Sequence, residues 1–129
     1  MGTNYYVSDQ EPCAHCGRPY DELHIGKSSA GWCFSLHEIP ERGLTDWPEW
    51  RAFLNDRPHI RDEYGRSLTL DELEQVITNR TWTYRVHDAE WYHQNNAEPG
   101  PDGTVRHQIG RYCTKHGAGT WDVIPGEFS

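Results

Sequence analysis

Two short segments of this 129-residue chain carry residues suited to holding a metal ion. "CAHCG" (Cys13 to Gly17) and "CTKHG" (Cys113 to Gly117) each place two ligand-type residues either side of two others and then a glycine. Two side chains reach one ion only if the backbone folds tightly around it, and a following glycine permits left-handed geometry. Together the turns predict a site of Cys13, Cys16, Cys113 and His116, a Cys₃His tetrahedron of the closed, structural zinc type. Thiolate softness favours zinc over magnesium or calcium. Such a site ties the N-terminal region to the C-terminal one, closing most of the chain into a loop and constraining the unfolded state. A local set competes: His24, Cys33 and His37 follow Cys13 and Cys16 closely. A third reading has no metal, with Cys33 a small buried side chain and the histidines on the surface. A redox role for the Cys13–Cys16 pair expects a helix after it, which Arg18-Pro19 starts poorly.

The stretch "CAHCGRPYDELHIGKSSAGW" (Cys13 to Trp32) is also similar in rhythm to HNH-type nucleases, where a zinc knuckle precedes a His that activates water. That resemblance implies His24 as the catalytic base, with His93 and Asn95 of "YHQNN" helping to hold a divalent ion near a phosphate. The chain departs from the pattern where Leu23 rather than Asp precedes His24, and where Gly26 replaces the proline region. "HIGKSS" contains the Gly-Lys-Ser of a phosphate-binding loop, but Asp21 stands where the first glycine belongs.

The elements that must position these residues follow from pattern. Asn4 to Val7 and Glu22 to Ile25 read as short strands, and Lys27 to Gly31 as a turn. Trp32, Phe34 and Leu36 alternate with Cys33, Ser35 and His37, so a strand buries the first set and carries Cys33 and His37 on its polar face. Thr45 is placed to cap a helix through Trp47 to Leu54, with Pro48 in its first turn. Tyr64-Gly65 reads as a turn. Thr69 and Glu72 form a capping box for a second helix, with apolar Leu70, Leu73, Val76 and Ile77 and a stop at Asn79. Thr81 to Tyr92 reads as a strand or ordered loop, and "NNAEPGPDG" as a flexible loop. Val105 to Tyr112 and Thr120 to Ile124 complete the strands. The predicted fold is α+β: one domain over residues 1–129, with a small, mainly antiparallel sheet, two helices and a zinc-knuckle staple.

Composition bounds the function. The chain has 35% hydrophobic residues and a mean hydropathy of −0.91, a thin apolar supply that six Trp, seven Tyr and three Phe partly offset. A metal staple suits such a domain. There is no apolar run near the ~20 residues of a membrane span, and no signal-peptide pattern at the N-terminus, which predicts a cytoplasmic protein with reduced cysteines. "MGTNYY" has Tyr6 where myristoylation prefers Ser or Thr. The net charge of −8, with only Lys27 and Lys115 as lysines, disfavours direct binding to nucleic acid. It serves solubility first, and it also suits a basic protein partner.

"MGTNYY", "CxxCGR", "LHIGKSSAGW", "DEYGR" and the final "EFS" resemble a family of small uncharacterised proteins of bacteriophages and prophages. The resemblance implies action inside a bacterial host, and it carries over Cys13, Cys16, His24, Lys27 and Ser28 as motif residues. The expected function is therefore that of an acidic, zinc-binding, non-enzymatic phage accessory protein with a host or phage macromolecule as partner. Aromatic residues between Trp82 and Trp91 are candidate interface anchors, and they equally suit a core. The alternative is a metal-dependent nuclease or phosphoesterase that uses His24.

Overall fold

Strand alternation builds the sheet that carries His24, His37 and His116. In the computed structural model, residues 2–8, 22–57, 59–82, 87–110, 112–126 and 128 are described. Strand β1 (Gly2–Ser8) pairs antiparallel with β2 (Leu23–Ser29) and β4 (His59–Asp62). Strand β3 (Phe34–Glu38) pairs antiparallel with β2, and β5 (Ser67–Leu68) with β4. Strand β9 (Trp121–Pro125) lies parallel to β3, and its other edge takes β8 (Lys115–His116) in antiparallel pairing. The order is β5-β4-β1-β2-β3-β9-β8. A two-stranded ribbon of β6 (Ala97–Pro99) and β7 (Val105–His107) abuts the start of β3, where Cys33 N–H donates to the Val105 carbonyl at 2.8 Å.

One face of the sheet is apolar. Tyr5, Val7, Ile25, Phe34, Leu36, Ile60, Trp121 and Val123 form one buried cluster with Trp47, Trp50 and Leu54 of α1 (Trp47–Leu54) and Leu73 and Ile77 of α2 (Leu70–Thr78). Burying these large side chains is the main driving force for the fold. The capping box at α2 forms as its residues require, with Glu72 N–H donating to Thr69 Oγ1 at 3.1 Å and Thr69 N–H donating to Glu72 Oε1 at 2.9 Å. The fold class is α+β with a mostly antiparallel sheet, as the patterning predicts.

Several local expectations are corrected. A third helix, α3 (Ala89–Gln94), forms where a strand or loop is expected, with Asp88 as its N-cap. The cap of α1 is Asp46 rather than Thr45. Lys27 to Ser29 extend β2, so the turn is confined to Ala30 and Gly31. "NNAEPGPDG" contains β6 and a 3₁₀ turn at Pro101–Gly103, and the strand from Val105 ends at His107. Cys33 precedes β3 and is buried, so it does not share a polar face with His37.

Candidate metal centre

Asp122 is the unexpected member of the first cluster. In β9 the run Trp121-Asp122-Val123-Ile124 is buried throughout, so a carboxylate stands among apolar neighbours and must find partners. It finds Arg106, whose Nε donates to Oδ1 at 2.9 Å, and the His107 backbone N–H, which donates to Oδ2 at 2.9 Å. Pairing in the sheet sets His116 of β8 directly opposite Asp122. Cys113, brought in by the turn before β8, completes a group in which a sulfur, a ring nitrogen and a carboxylate oxygen all lie within 4.8 Å of one another. Cys113, His116 and Asp122 could thus hold a metal ion.

The donor chemistry fits such an ion. His116 Nε2 meets the His107 carbonyl at 2.7 Å, which puts the proton on Nε2 and leaves Nδ1 as the basic nitrogen. A carboxylate offers about four lone-pair positions, so Asp122 can keep Arg106 and His107 and still face a cation. The Cys113 thiol donates to the Lys115 carbonyl at 3.0 Å. Burial, reinforced by the negative charge of Asp122, pushes that thiol up to about 11, so it is protonated until a cation replaces the proton. Gly117 serves the turn for a reason other than left-handed geometry: a Cβ there would lie 2.1 Å from Trp121 Nε1. Trp121 in turn donates to Asp46 Oδ1 at 2.8 Å, and Lys115 Nζ lies 3.0 Å from Asp46 Oδ2. The knuckle is therefore tied to the start of α1.

A second cluster lies across β1, β2 and β3. His24 and His37 have ring centres 5.4 Å apart. His24 Nε2 donates to Asn4 Oδ1 at 2.8 Å, an orientation fixed because Asn4 N–H and Nδ2 both point at Glu63 Oε1 (2.7 and 3.4 Å). His24 Nδ1 is buried and makes no hydrogen bond of good geometry among the described residues, while the Gly26 backbone raises the ring's proton affinity by less than burial lowers it. His37 Nδ1 meets the His24 carbonyl at 3.0 Å. Tyr6, Glu22, Leu23, Ile39 and Phe128 complete the walls of a cavity of about 320 Å³. Burial, with His37 beside it, lowers His24 to about 4. A base so far below neutral pH takes a proton poorly, which weakens the water-activating role.

The other candidates are dispersed. His93 and Asn95 are exposed at the end of α3, whose Trp91 neighbours Trp32 before the start of β3. Trp32 and His37 are five residues apart in sequence, roughly 17 Å along an extended chain. His93 and Asn95 are therefore not assembled with His24. Cys33 Sγ lies 3.3 Å from Thr104 Oγ1, and burial raises its pKa. Among the described residues Cys33 forms no three-ligand group with His24 and His37. Cys13 and Cys16 lie outside the described residues. Asp122, Asn4 and Glu63 were missed by motif reading. The available signal was an acidic residue inside the apolar run "TWDVI".

An aromatic strip runs from the metal-capable group toward α3. Tyr112, 61% exposed, has its ring 6.0 Å from His107; Trp32 meets His107 edge-on at 4.8 Å. Trp91 lies 6.0 Å from Trp32 and stacks on His87 at 3.6 Å. Among the described residues no helix is long and apolar enough to cross a membrane. Comparisons with protein-family models, with curated proteins and with solved structures give no match.

Proposed function

We propose that this chain is a small zinc-binding accessory protein, non-enzymatic, that binds a macromolecular partner inside a bacterium during phage infection. The observation that carries the metal part is the convergence of Cys113, His116 and Asp122. A cysteine sulfur beside an imidazole selects zinc among the common divalent ions. Zinc there acts as a cross-link, holding the turn before β8 against β9. The same turn presents Tyr112 and Ile109, both well exposed, at one end of the aromatic strip. Large aromatic side chains anchor protein interfaces at low entropic cost. The net charge of −8 favours a basic protein partner over nucleic acid.

Metal analysis of the purified native protein tests the first half. Zinc is expected to copurify, and Cys113→Ala and His116→Ala are each expected to lose one equivalent and to melt at lower temperature. Zinc content unchanged in both variants sinks the reading. Capture from a bacterial lysate tests the second half: a stoichiometric partner retained by the wild type should be lost in Trp91→Ala or Tyr112→Ala. Recovery of no such partner removes the interaction.

A hydrolytic reading on His24 rests on its ring being held by Asn4 and Glu63. Its low proton affinity and the distant His93 and Asn95 weaken that reading. Incubation with plasmid and RNA plus magnesium or manganese decides it. The absence of cleavage, or cleavage unaffected by His24→Ala, closes the question.

A further inference from the structure

The His24–His37 cluster has features that neither sheet packing nor the Cys113 group explains. Each ring is fixed through one nitrogen. His24 gives its Nε2 proton to Asn4, which Glu63 fixes, and His37 gives its Nδ1 proton to the His24 carbonyl. In the neutral form of each ring the unshared pair lies on His24 Nδ1 and on His37 Nε2. Metal-binding histidines characteristically donate their other N–H to a carbonyl or carboxylate oxygen, which sets the tautomer and ring orientation. The amide oxygen of Asn4 and the backbone oxygen of His24 fill that role here. His24 Nδ1 is moreover a buried polar atom without a hydrogen-bond partner, and such atoms are uncommon because each costs the solvation it lost.

The spacing also fits. Two imidazoles bound at about 2.0–2.1 Å to one tetrahedral ion have ring centres roughly 5 to 5.5 Å apart. The centres of His24 and His37 are 5.4 Å apart. Glu22 also lines this cavity, but its carboxylate is held by Arg61 and does not converge with the two imidazoles. Phe128 sets its ring edge-on to both imidazoles, at 4.8 and 5.4 Å, and gives the cavity an apolar wall. An apolar wall of this kind limits solvent access and lowers the local dielectric around the site.

We propose that His24 and His37 form a second site, separate from Cys113 and His116, that binds a borderline divalent transition ion such as zinc through His24 Nδ1 and His37 Nε2. Water fills the remaining positions. Imidazole donors favour zinc, copper or nickel over magnesium and calcium.

Nitrogen-15 spectroscopy of the histidine side chains tests the proposal on the full-length, chelator-stripped protein titrated with zinc. His24 Nδ1 and His37 Nε2 are expected to move to metal-bound shifts, while His24 Nε2 and His37 Nδ1 keep their protons. His37→Gln, at a half-buried position, is expected to weaken this binding at least tenfold with the tryptophan fluorescence of the fold unchanged; His24→Gln serves as the second variant. In Cys113→Ala the His24 and His37 shifts should persist. Two results would overturn the proposal: no movement of these resonances with zinc in excess, or their loss in Cys113→Ala. The His116 resonances report on the Cys113 group in the same spectra, so failure at one site is told apart from failure at the other.

Discussion

At the scale of single residues, Asp46 does more than cap a helix. Its carboxylate accepts from Trp47 N–H at 2.7 Å and from Trp121 Nε1 at 2.8 Å, and it pairs with Lys115. Burial alone would raise its pKa, but the bonds from Trp121, Trp47 and Lys115 outweigh that and hold it below the ordinary 3.8. A depressed carboxyl contributes stability that is fully present above the unfolded value and is lost as pH falls through the folded one. Asp46→Asn should therefore show a flatter loss of stability than the wild type below about pH 4. Asp46→Ala should cost about 2 kcal/mol at neutral pH, from the missing cap and the unsatisfied indole N–H. Urea titrations across pH check both, and a wild-type acid slope in Asp46→Asn would contradict the assignment. Thr45 and Asp46 are both suitable caps by type. The choice is made by Trp121 and Lys115, which are distant in sequence, so local reading could not make it. Asp122 is similar: its partners Arg106 and His107 come from another strand, and only its placement in an apolar run was legible beforehand.

At the scale of elements, what was legible is what local physics decides. α2 carries its own capping box and apolar stripe, and α1 its own stripe, so both could be read from sequence. α3 is six residues long, too short for a clear period, and its one local signal is Asp88. β6 exists because β7 pairs with it, which no composition of "NNAEPGPDG" reveals. Two substitutions separate the local from the non-local contribution. Thr69→Ala removes a cap at an exposed helix start and should cost about 1 kcal/mol. Gly26→Ala places a Cβ 2.2 Å from the Ser35 carbonyl oxygen and 2.4 Å from Phe34 Cε1, where β2 meets β3 over the core. Overpacking there should cost about 3 kcal/mol and disturb the His24–His37 cluster borne by the same two strands. Chemical denaturation ranks the pair, and equal losses would show that Phe34 yields without cost.

At the scale of the whole molecule, the sheet is assembled out of sequence order. β9 inserts between β3 and β8, so a late segment occupies an interior position and supplies Trp121, Asp122 and Val123 to the core and to the metal-capable group. The α+β class followed from the mixture of strand and helix patterns, but the parallel pairing of β3 with β9 had no local signature. A chain ending at Thr120 should lose cooperative unfolding altogether, as followed by tryptophan fluorescence in urea. A retained sharp transition would show that β9 is dispensable. The pairing also bears on biosynthesis. Residues 2–78, with β1 to β5, α1 and α2, emerge from the ribosome well before residues 121–125. During that interval β3 presents an unpaired backbone edge flanked by Phe34 and Leu36, the kind of edge that recruits strands from other chains. The order of synthesis thus leaves the nascent chain with a sticky margin until β9 emerges to cover it, and slow elongation or a missing β9 would favour aggregation over folding.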